Sequence, residues 1–169
     1  MSARTLLALI SLLVIALSWT GCASWSESNP QIYDPRADGE QQLKEALQVA
    51  KSEQKRVLLN LGANWCSDSQ GMFQLFSTND QIRRVIQAHY VFEMVDVNKK
   101  GLTARNSRIV ERYGNPIDAG IPVLLILDSN GQLLNTVPGE RLVDSDHQHP
   151  TIVLAYLQKW ATASPTPAP

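Results

Sequence analysis

The chain has 169 residues, of which 44% are hydrophobic and 18% are charged, and its formal net charge is -1. This length is enough for one globular domain with a substantial core and some additional chain at the ends. The near-neutral charge argues against a nucleic acid partner, because phosphate binding needs a concentrated cationic face.

The first 21 residues have the layout of a secretory signal peptide. A short cationic region that contains Arg4 precedes a run of mainly Leu, Ile, Val and Ala over residues 6–16. That run is well short of the roughly 20 apolar residues that a transmembrane helix needs. We therefore predict that residues 1–21 export the rest of the chain.

Cys22 follows Gly21 at the end of this segment, which resembles the bacterial lipobox. The resemblance implies that Cys22 is acylated with diacylglycerol and that cleavage makes it the new N-terminus. Trp19 departs from the pattern, since a lipobox usually has an aliphatic residue there. Two alternatives are ordinary secretory cleavage after Ala23 and an uncleaved anchor. The lipoprotein reading places the domain in the cell envelope facing the periplasm, and Ala23 after Cys22 favours the outer membrane.

The remaining chain divides into a tether, one domain and a tail. Residues 22–39 are polar and show little hydrophobic periodicity, which is typical of a flexible tether. Residues 40–161 carry the periodic segments and form the predicted domain. Residues 162–169 are rich in Pro and are expected to be disordered.

Hydrophobic periodicity in the domain alternates between helical and strand patterns. The predicted elements are a helix from residue 40 with Asp38 as its N-cap, a strand at 57–61, a helix after Cys66, a helix capped by residues 77–80, a strand at 90–97, a helix at 106–113, a strand at 121–127, a hairpin at 128–131, a strand at 132–137 and a helix at 151–161. The last helix is expected to bury Ile152, Ala155, Tyr156 and Trp160. This order predicts an α/β sandwich whose central mixed sheet has about four to five strands flanked by helices.

Two motifs, in this order, resemble the thioredoxin superfamily. The first is an apolar strand that leads through Trp65-Cys66 into a helix, similar to the strand and Trp-Cys-x-x-Cys motif of thioredoxins. The second is Ile121-Pro122 before an apolar strand and an Asp-x-x-Gly hairpin, which resembles the segment that holds a cis-proline against the active-site cysteine. The resemblance covers residues 40–160 and implies a thioredoxin-like sandwich. The sequence around Cys66 is similar to that of exported thioredoxin-like proteins with an Ala-Asn-Trp-Cys-x-Asp-Ser signature.

Two departures from the thioredoxin pattern bear on the chemistry. Ser69 stands where thioredoxins have the second cysteine, and Asn60 stands where they have a buried aspartate that helps to deprotonate it. A dithiol enzyme uses its second thiol to resolve the mixed disulfide that the first one forms, and a hydroxyl cannot do this. The paired departures indicate a site that does not complete a two-electron cycle alone.

The reactivity of Cys66 is the open question at this site. The partial positive charge of a helix N-terminus favours the thiolate, and Ser69 can donate a hydrogen bond to it. Asp68 opposes this, because a nearby carboxylate disfavours a second negative charge. The alternative is a small, half-buried thiol that is no longer used.

The resemblance implies roles for the neighbours of Cys66. Cys66, Ser69, Trp65 and Pro122 form the predicted catalytic set. Pro122 in the cis form would present the Ile121 backbone to an extended substrate, so Ile121, Pro122 and Trp65 form the predicted substrate-binding set. A packing role for Trp65 and an ordinary trans strand-entry Pro122 are the alternatives.

A metal or other cofactor is not expected. His147 and His149 alternate in a polar loop, which is typical of a solvated surface. They lack the further Cys or His ligands that would complete a tetrahedral site.

Two functions follow from these features. The first is a monothiol thioredoxin-like enzyme, with protein thiols or disulfides or small thiols as partners, in isomerase-type shuffling or thiol protection. The second is a redox-inactive module whose groove beside Cys66 and Pro122 binds a peptide or partner protein at the membrane.

Overall fold

A computed structural model describes residues 31–98, 105–135 and 149–162 of the chain. The predicted signal segment, Cys22, His147 and most of the predicted tail lie outside these residues. Within the described ranges the helices are α1 (Gly39–Glu53), α2 (Ser67–Thr78), α3 (Asp80–His89), α4 (Ser107–Arg112) and α5 (Pro150–Thr162). The strands are β1 (Arg56–Gly62), β2 (Tyr90–Asp96) and β3 (Val123–Leu127), and a 3-10 helix (Pro116–Ala119) lies between α4 and β3.

Two helix N-termini form where the sequence places good capping residues. The Asp38 carboxylate accepts backbone N–H bonds from the first turn of α1 at 2.9 and 3.3 Å. The Asn79 side-chain oxygen accepts two such bonds at the start of α3, at 3.0 and 3.1 Å. These caps satisfy N–H groups that have no partner inside the helix, which explains why both helices begin there.

The sheet has the strand order β2-β1-β3, with β1 in the centre. Strand β1 pairs in parallel with β2 and antiparallel with β3. The mixed sheet is flanked by helices, so the predicted α/β sandwich is confirmed.

The number of strands in the described chain is three, slightly below the expected four to five. After the turn at 128–131, Leu133 forms only an isolated bridge to Leu127. Asn135 then inserts its side chain at the edge of β3, accepting from the Ile126 N–H and donating to the Leu124 carbonyl, both at 2.8 Å. The side-chain amide therefore occupies the backbone groups that a continuous fourth strand would use.

The sheet separates two hydrophobic clusters. Alternate β1 residues Val57, Leu59 and Leu61 face the cluster that includes α1 and α4. Leu58 faces the other cluster, to which α2, α3 and α5 contribute. Burial on both faces accounts for the nearly continuous apolar sequence of β1 and β3.

Helix α5 presents a different face to the core from the one expected. Tyr156 and Trp160 are buried as predicted, but Ile152 and Ala155 are exposed. Val153 and Leu157, which are fully buried, take their place. The Leu157 carbonyl also accepts a hydrogen bond from the buried Tyr90 hydroxyl at 2.7 Å, which ties α5 to the start of β2.

None of the helices in the described part of the chain is long and apolar enough to cross a membrane.

Candidate active site

Cys66 lies at the N-terminus of α2, shortly after the end of strand β1. The strand ends at Gly62, and a tight turn follows in which the Cys66 N–H donates to the Ala63 carbonyl at 3.1 Å. Cys66 is the N-cap residue of α2, and its carbonyl accepts from the Gln70 N–H at 3.1 Å. Its side chain is only 9% exposed. The thiol therefore lies at the positive end of a helix and is largely shielded from solvent.

The Cys66 thiol contacts the segment that precedes β3. Its Sγ donates a hydrogen bond to the Ile121 carbonyl at 3.4 Å. The Ile121–Pro122 peptide bond is cis, and both residues are buried. This hydrogen bond uses the protonated thiol, so loss of the proton releases the sulfur from Ile121. The structure thus brings together Cys66, Ile121 and Pro122, which lie far apart in the sequence.

Ser69 lies one helical turn after Cys66 and is completely buried. Its hydroxyl oxygen accepts from the Ala63 N–H at 3.4 Å. The side-chain hydrogen bond of the protonated Cys66 in the described structure goes to Ile121. A hydrogen bond from Ser69 to the Cys66 thiolate stays a prediction. Positions three residues apart are neighbours on a helix, so Ser69 still borders the thiol.

Trp65 is the exposed member of the site. The residue is 46% exposed, and its indole N–H donates to the Asn98 side chain at 3.1 Å. This bond holds one edge of the ring, and nearly half of the residue is exposed to solvent. Trp65 therefore offers a flat contact surface next to the cysteine.

A buried carboxylate that the sequence analysis did not single out supports Asn98. Asp96, at the end of β2, is 3% exposed and accepts from the Asn98 N–H at 2.8 Å and from the Arg105 guanidinium at 2.7 Å. The charge is thus paired, as a buried carboxylate requires. An acidic residue at the end of an apolar strand was the available sequence signal.

Tyr33 is a second residue that the sequence analysis missed. It falls in the predicted tether over residues 22–39, yet its side chain is completely buried. Its N–H donates to Asn64 Oδ1 at 2.9 Å, and its carbonyl accepts from Asn64 Nδ2 at 2.8 Å. The part of the predicted tether around Tyr33 therefore packs on the domain, because a buried aromatic ring and two hydrogen bonds hold it there.

The Tyr33 ring ends in a polar cluster beneath the turn. Its hydroxyl faces Ser69 and Asn60, although no hydrogen bond of good geometry forms. Burial raises the pKa of Tyr33 well above its ordinary value, so the hydroxyl stays protonated. Asn60 is also completely buried, and its amide atoms have no hydrogen-bond partner among the residues that the structure describes. An amide in place of an aspartate gives this cluster no group that accepts a proton near neutral pH.

The described ranges contain no group of three or more His, Cys, Asp or Glu side chains that could hold a metal ion. His149 is exposed, and its ring contacts the Thr151 hydroxyl at 2.8 Å. This is a local contact on the protein surface, near the start of α5.

Comparisons with known proteins agree with this geometry. A family model described as thioredoxin-like matches residues 38–129. The crystal structure of a disulphide isomerase from Xylella fastidiosa Temecula1 is similar, with 30% sequence identity and a TM-score of 0.68 over 77% of this chain and 96% of that chain. A comparison with curated proteins gave no match. The family match covers more than half of the chain, and the chain belongs to the thioredoxin-like family.

Proposed function

We propose that this protein carries out thiol-disulfide exchange in the cell envelope through one nucleophilic cysteine, Cys66. One observation carries the proposal. Cys66 lies at the N-terminus of α2 with its sulfur 3.4 Å from the Ile121 carbonyl, while the buried residue one turn later is Ser69. The thioredoxin-like fold and the disulphide isomerase neighbour support thiol-disulfide chemistry in general.

The reaction begins when Cys66 loses its proton and the hydrogen bond to Ile121 breaks. The thiolate attacks one sulfur of a disulfide, forms a mixed disulfide through Cys66 and releases the other sulfur as a thiolate. A thiol of the substrate or a small thiol then attacks the mixed disulfide. This step forms a new disulfide and returns Cys66 to the thiolate, so electrons balance without net oxidation of the protein.

Ser69 determines which outcome this site favours. A dithiol site can resolve its own mixed disulfide, but a hydroxyl cannot attack a disulfide in this way. The mixed disulfide therefore persists until an external thiol arrives. This favours isomerase-like shuffling or protection of protein thiols over net oxidation.

Ile121 and Trp65 supply the surface for the substrate. The backbone before Pro122 borders the cysteine, and the half-exposed Trp65 precedes the cysteine in the chain. An extended polypeptide can pair with the Ile121 backbone once the thiol has left its carbonyl, and can place an apolar side chain on the indole. Protein thiols and disulfides are therefore the proposed partners, with small thiols as the resolving agents.

The proposed location rests on the sequence of the N-terminal segment. The cationic region, the apolar run and Gly21-Cys22 support export and acylation of Cys22. We place the domain on a lipid anchor in the periplasm, with the outer membrane favoured because Ala23 follows Cys22.

A second candidate is a redox-inactive module that binds peptides or a partner protein. The observation that favours it is the low exposure of Cys66, whose thiol proton is engaged by Ile121. In that case the surface that Trp65 exposes beside Cys66 would bind the partner without sulfur chemistry.

Disulfide reshuffling tests the proposal. In the presence of glutathione, the full chain is expected to accelerate recovery of a substrate protein with scrambled disulfides, and the Cys66→Ser variant is expected to lose this acceleration. Cys22→Ser is the matched control and should retain it. Equal acceleration by the Cys66→Ser variant would exclude Cys66 as the nucleophile. Failure of the wild type to accelerate recovery, with peptide binding retained in Cys66→Ser, would favour the second candidate.

A further inference from the structure

The segment before α1 is attached to the loop that carries Cys66. Asn64 lies two residues before Cys66 and uses both atoms of its side-chain amide to bind the Tyr33 backbone, at 2.9 and 2.8 Å. The Asn64 carbonyl accepts a further bond from the Gln70 side chain of α2 at 2.6 Å. Asn64 therefore connects three parts of the chain at the turn that positions the cysteine.

The Tyr33 side chain anchors this attachment. Its ring is completely buried against Gly62, the last residue of β1, which has no side chain to obstruct it. A buried tyrosine contributes a large contact area with few rotatable bonds, so the ring holds the backbone of its segment in a fixed place. The Asn64 amide can therefore bind a backbone that is already in position.

We propose that Tyr33 is a positioning residue for Cys66, which acts through Asn64 to keep the cysteine closed against Ile121. The proposal rests on the function proposed above, in which Cys66 is the reactive group. The Tyr33 ring fixes the segment, the segment fixes Asn64, and Asn64 fixes the turn between Gly62 and Cys66. Release of the segment loosens the turn and lets the sulfur leave the Ile121 carbonyl.

Access to the sulfur follows from this arrangement. A reagent can attack Cys66 only when the turn opens, because the side chain is buried and its proton is held by Ile121. Local opening of this kind occurs without global unfolding, and its free energy is set by the contacts that break. Removal of contacts between Tyr33 and Asn64 therefore increases the open fraction and the rate of modification.

Alkylation of the native full chain by iodoacetamide at pH 7 tests the proposal. The tryptic peptide that spans residues 57–83 contains Cys66 but not Cys22, so mass spectrometry reports on Cys66 alone. Asn64→Ala removes both hydrogen bonds to the Tyr33 backbone and is expected to raise the rate about five-fold or more, since one lost hydrogen bond is worth about 1 kcal/mol. Tyr33→Ala keeps those backbone groups but removes the buried ring that holds them in place, and it is expected to raise the rate by at least as much. Tyr33→Phe keeps the ring and the backbone bonds and is expected to alkylate at the wild-type rate.

Tyr90→Phe is the matched control for loss of stability. It removes a buried hydroxyl that donates to the Leu157 carbonyl at 2.7 Å. Tyr90 pairs with Arg56 at the start of β1, whereas the turn to Cys66 follows the other end of that strand. The variant is expected to lower the free energy of unfolding and leave the alkylation rate of Cys66 unchanged. If Tyr33→Ala does not fold, Asn64→Ala gives the same test with the buried ring intact.

Two results would overturn the proposal. If both alanine variants alkylate at the wild-type rate, or if Tyr90→Phe accelerates alkylation equally, Tyr33 does not position Cys66. If Cys66 stays unmodified in every folded variant and reacts only in denaturant, the function proposed for Cys66 fails as well. The first pattern leaves Cys66 reactive, so the two failures can be told apart.

Discussion

Replacing Ser69 with cysteine is expected to shorten the lifetime of a mixed disulfide on Cys66 by about 100-fold or more, because an intramolecular thiol replaces an external one. Positions 66 and 69 are neighbours on the first turn of α2, which is the spacing of a dithiol motif. The new thiol would attack the Cys66 sulfur and release the substrate thiol. The lifetime can be followed by the decay of a glutathione adduct, by mass spectrometry, without added thiol.

Ser69→Ala provides the control, since it changes the same buried position but supplies no thiol. Its adduct should persist as in the wild type. The Asn60→Asp change, added to Ser69→Cys, is expected to shorten the lifetime further, because a buried carboxylate beside the new thiol can accept its proton. A lifetime that is equal in Ser69→Cys and Ser69→Ala would contradict the view that Ser69 is what makes the site monothiol.

Gly62→Ala is expected to destabilise the protein by about 3 kcal/mol, at the upper end of overpacking costs, or to prevent folding. A β-carbon on Gly62 would lie 2.5 Å from Tyr33 Cζ and 2.7 Å from Ser69 Oγ, and closer still to the Tyr33 hydroxyl oxygen. The tyrosine ring is completely buried and cannot move aside without disrupting the turn before Cys66. Denaturation with urea measures this loss directly.

The cause of that loss can be tested with a double variant. If the clash with Tyr33 is responsible, adding Gly62→Ala to Tyr33→Ala should cost much less than adding it to the wild type, since contacting residues are not additive. If Gly62→Ala lowers the free energy of unfolding equally in the wild type and in Tyr33→Ala, the clash does not involve the Tyr33 side chain. The close packing of Tyr33 would then not explain why residue 62 is glycine.

Local patterns predicted the elements that frame the site. The apolar run of β1, the cap residues Asp38 and Asn79 and the placement of Cys66 before α2 are all encoded within a few neighbouring residues. Such features depend on the chemistry of short segments, so sequence alone is enough to place them. The cis geometry before Pro122 was expected from the family resemblance, since the local sequence alone favours the trans isomer.

Features that depend on distant contacts were not predictable in this way. Tyr33 lies in a polar segment, and its burial depends on packing against Gly62 and on hydrogen bonds to Asn64, both about 30 residues later in the chain. Asn135 ends the pairing on β3 because its side chain takes a backbone partner of that strand, and an alternating strand pattern in the sequence does not predict such a side-chain contact. The buried face of α5 was misassigned because Ile152 and Val153 are both apolar, and only docking on the core decides between them.

The most direct test of the account is whether Cys66 of the folded full chain forms a mixed disulfide with oxidised glutathione at pH 7. We expect one adduct on the peptide of residues 57–83, present in Cys22→Ser, absent in Cys66→Ser and removed by a small thiol. A folded protein whose Cys66 takes up no glutathione, and forms the adduct only after unfolding, would contradict the account and leave the surface beside Trp65 and Pro122 as a binding site without sulfur chemistry.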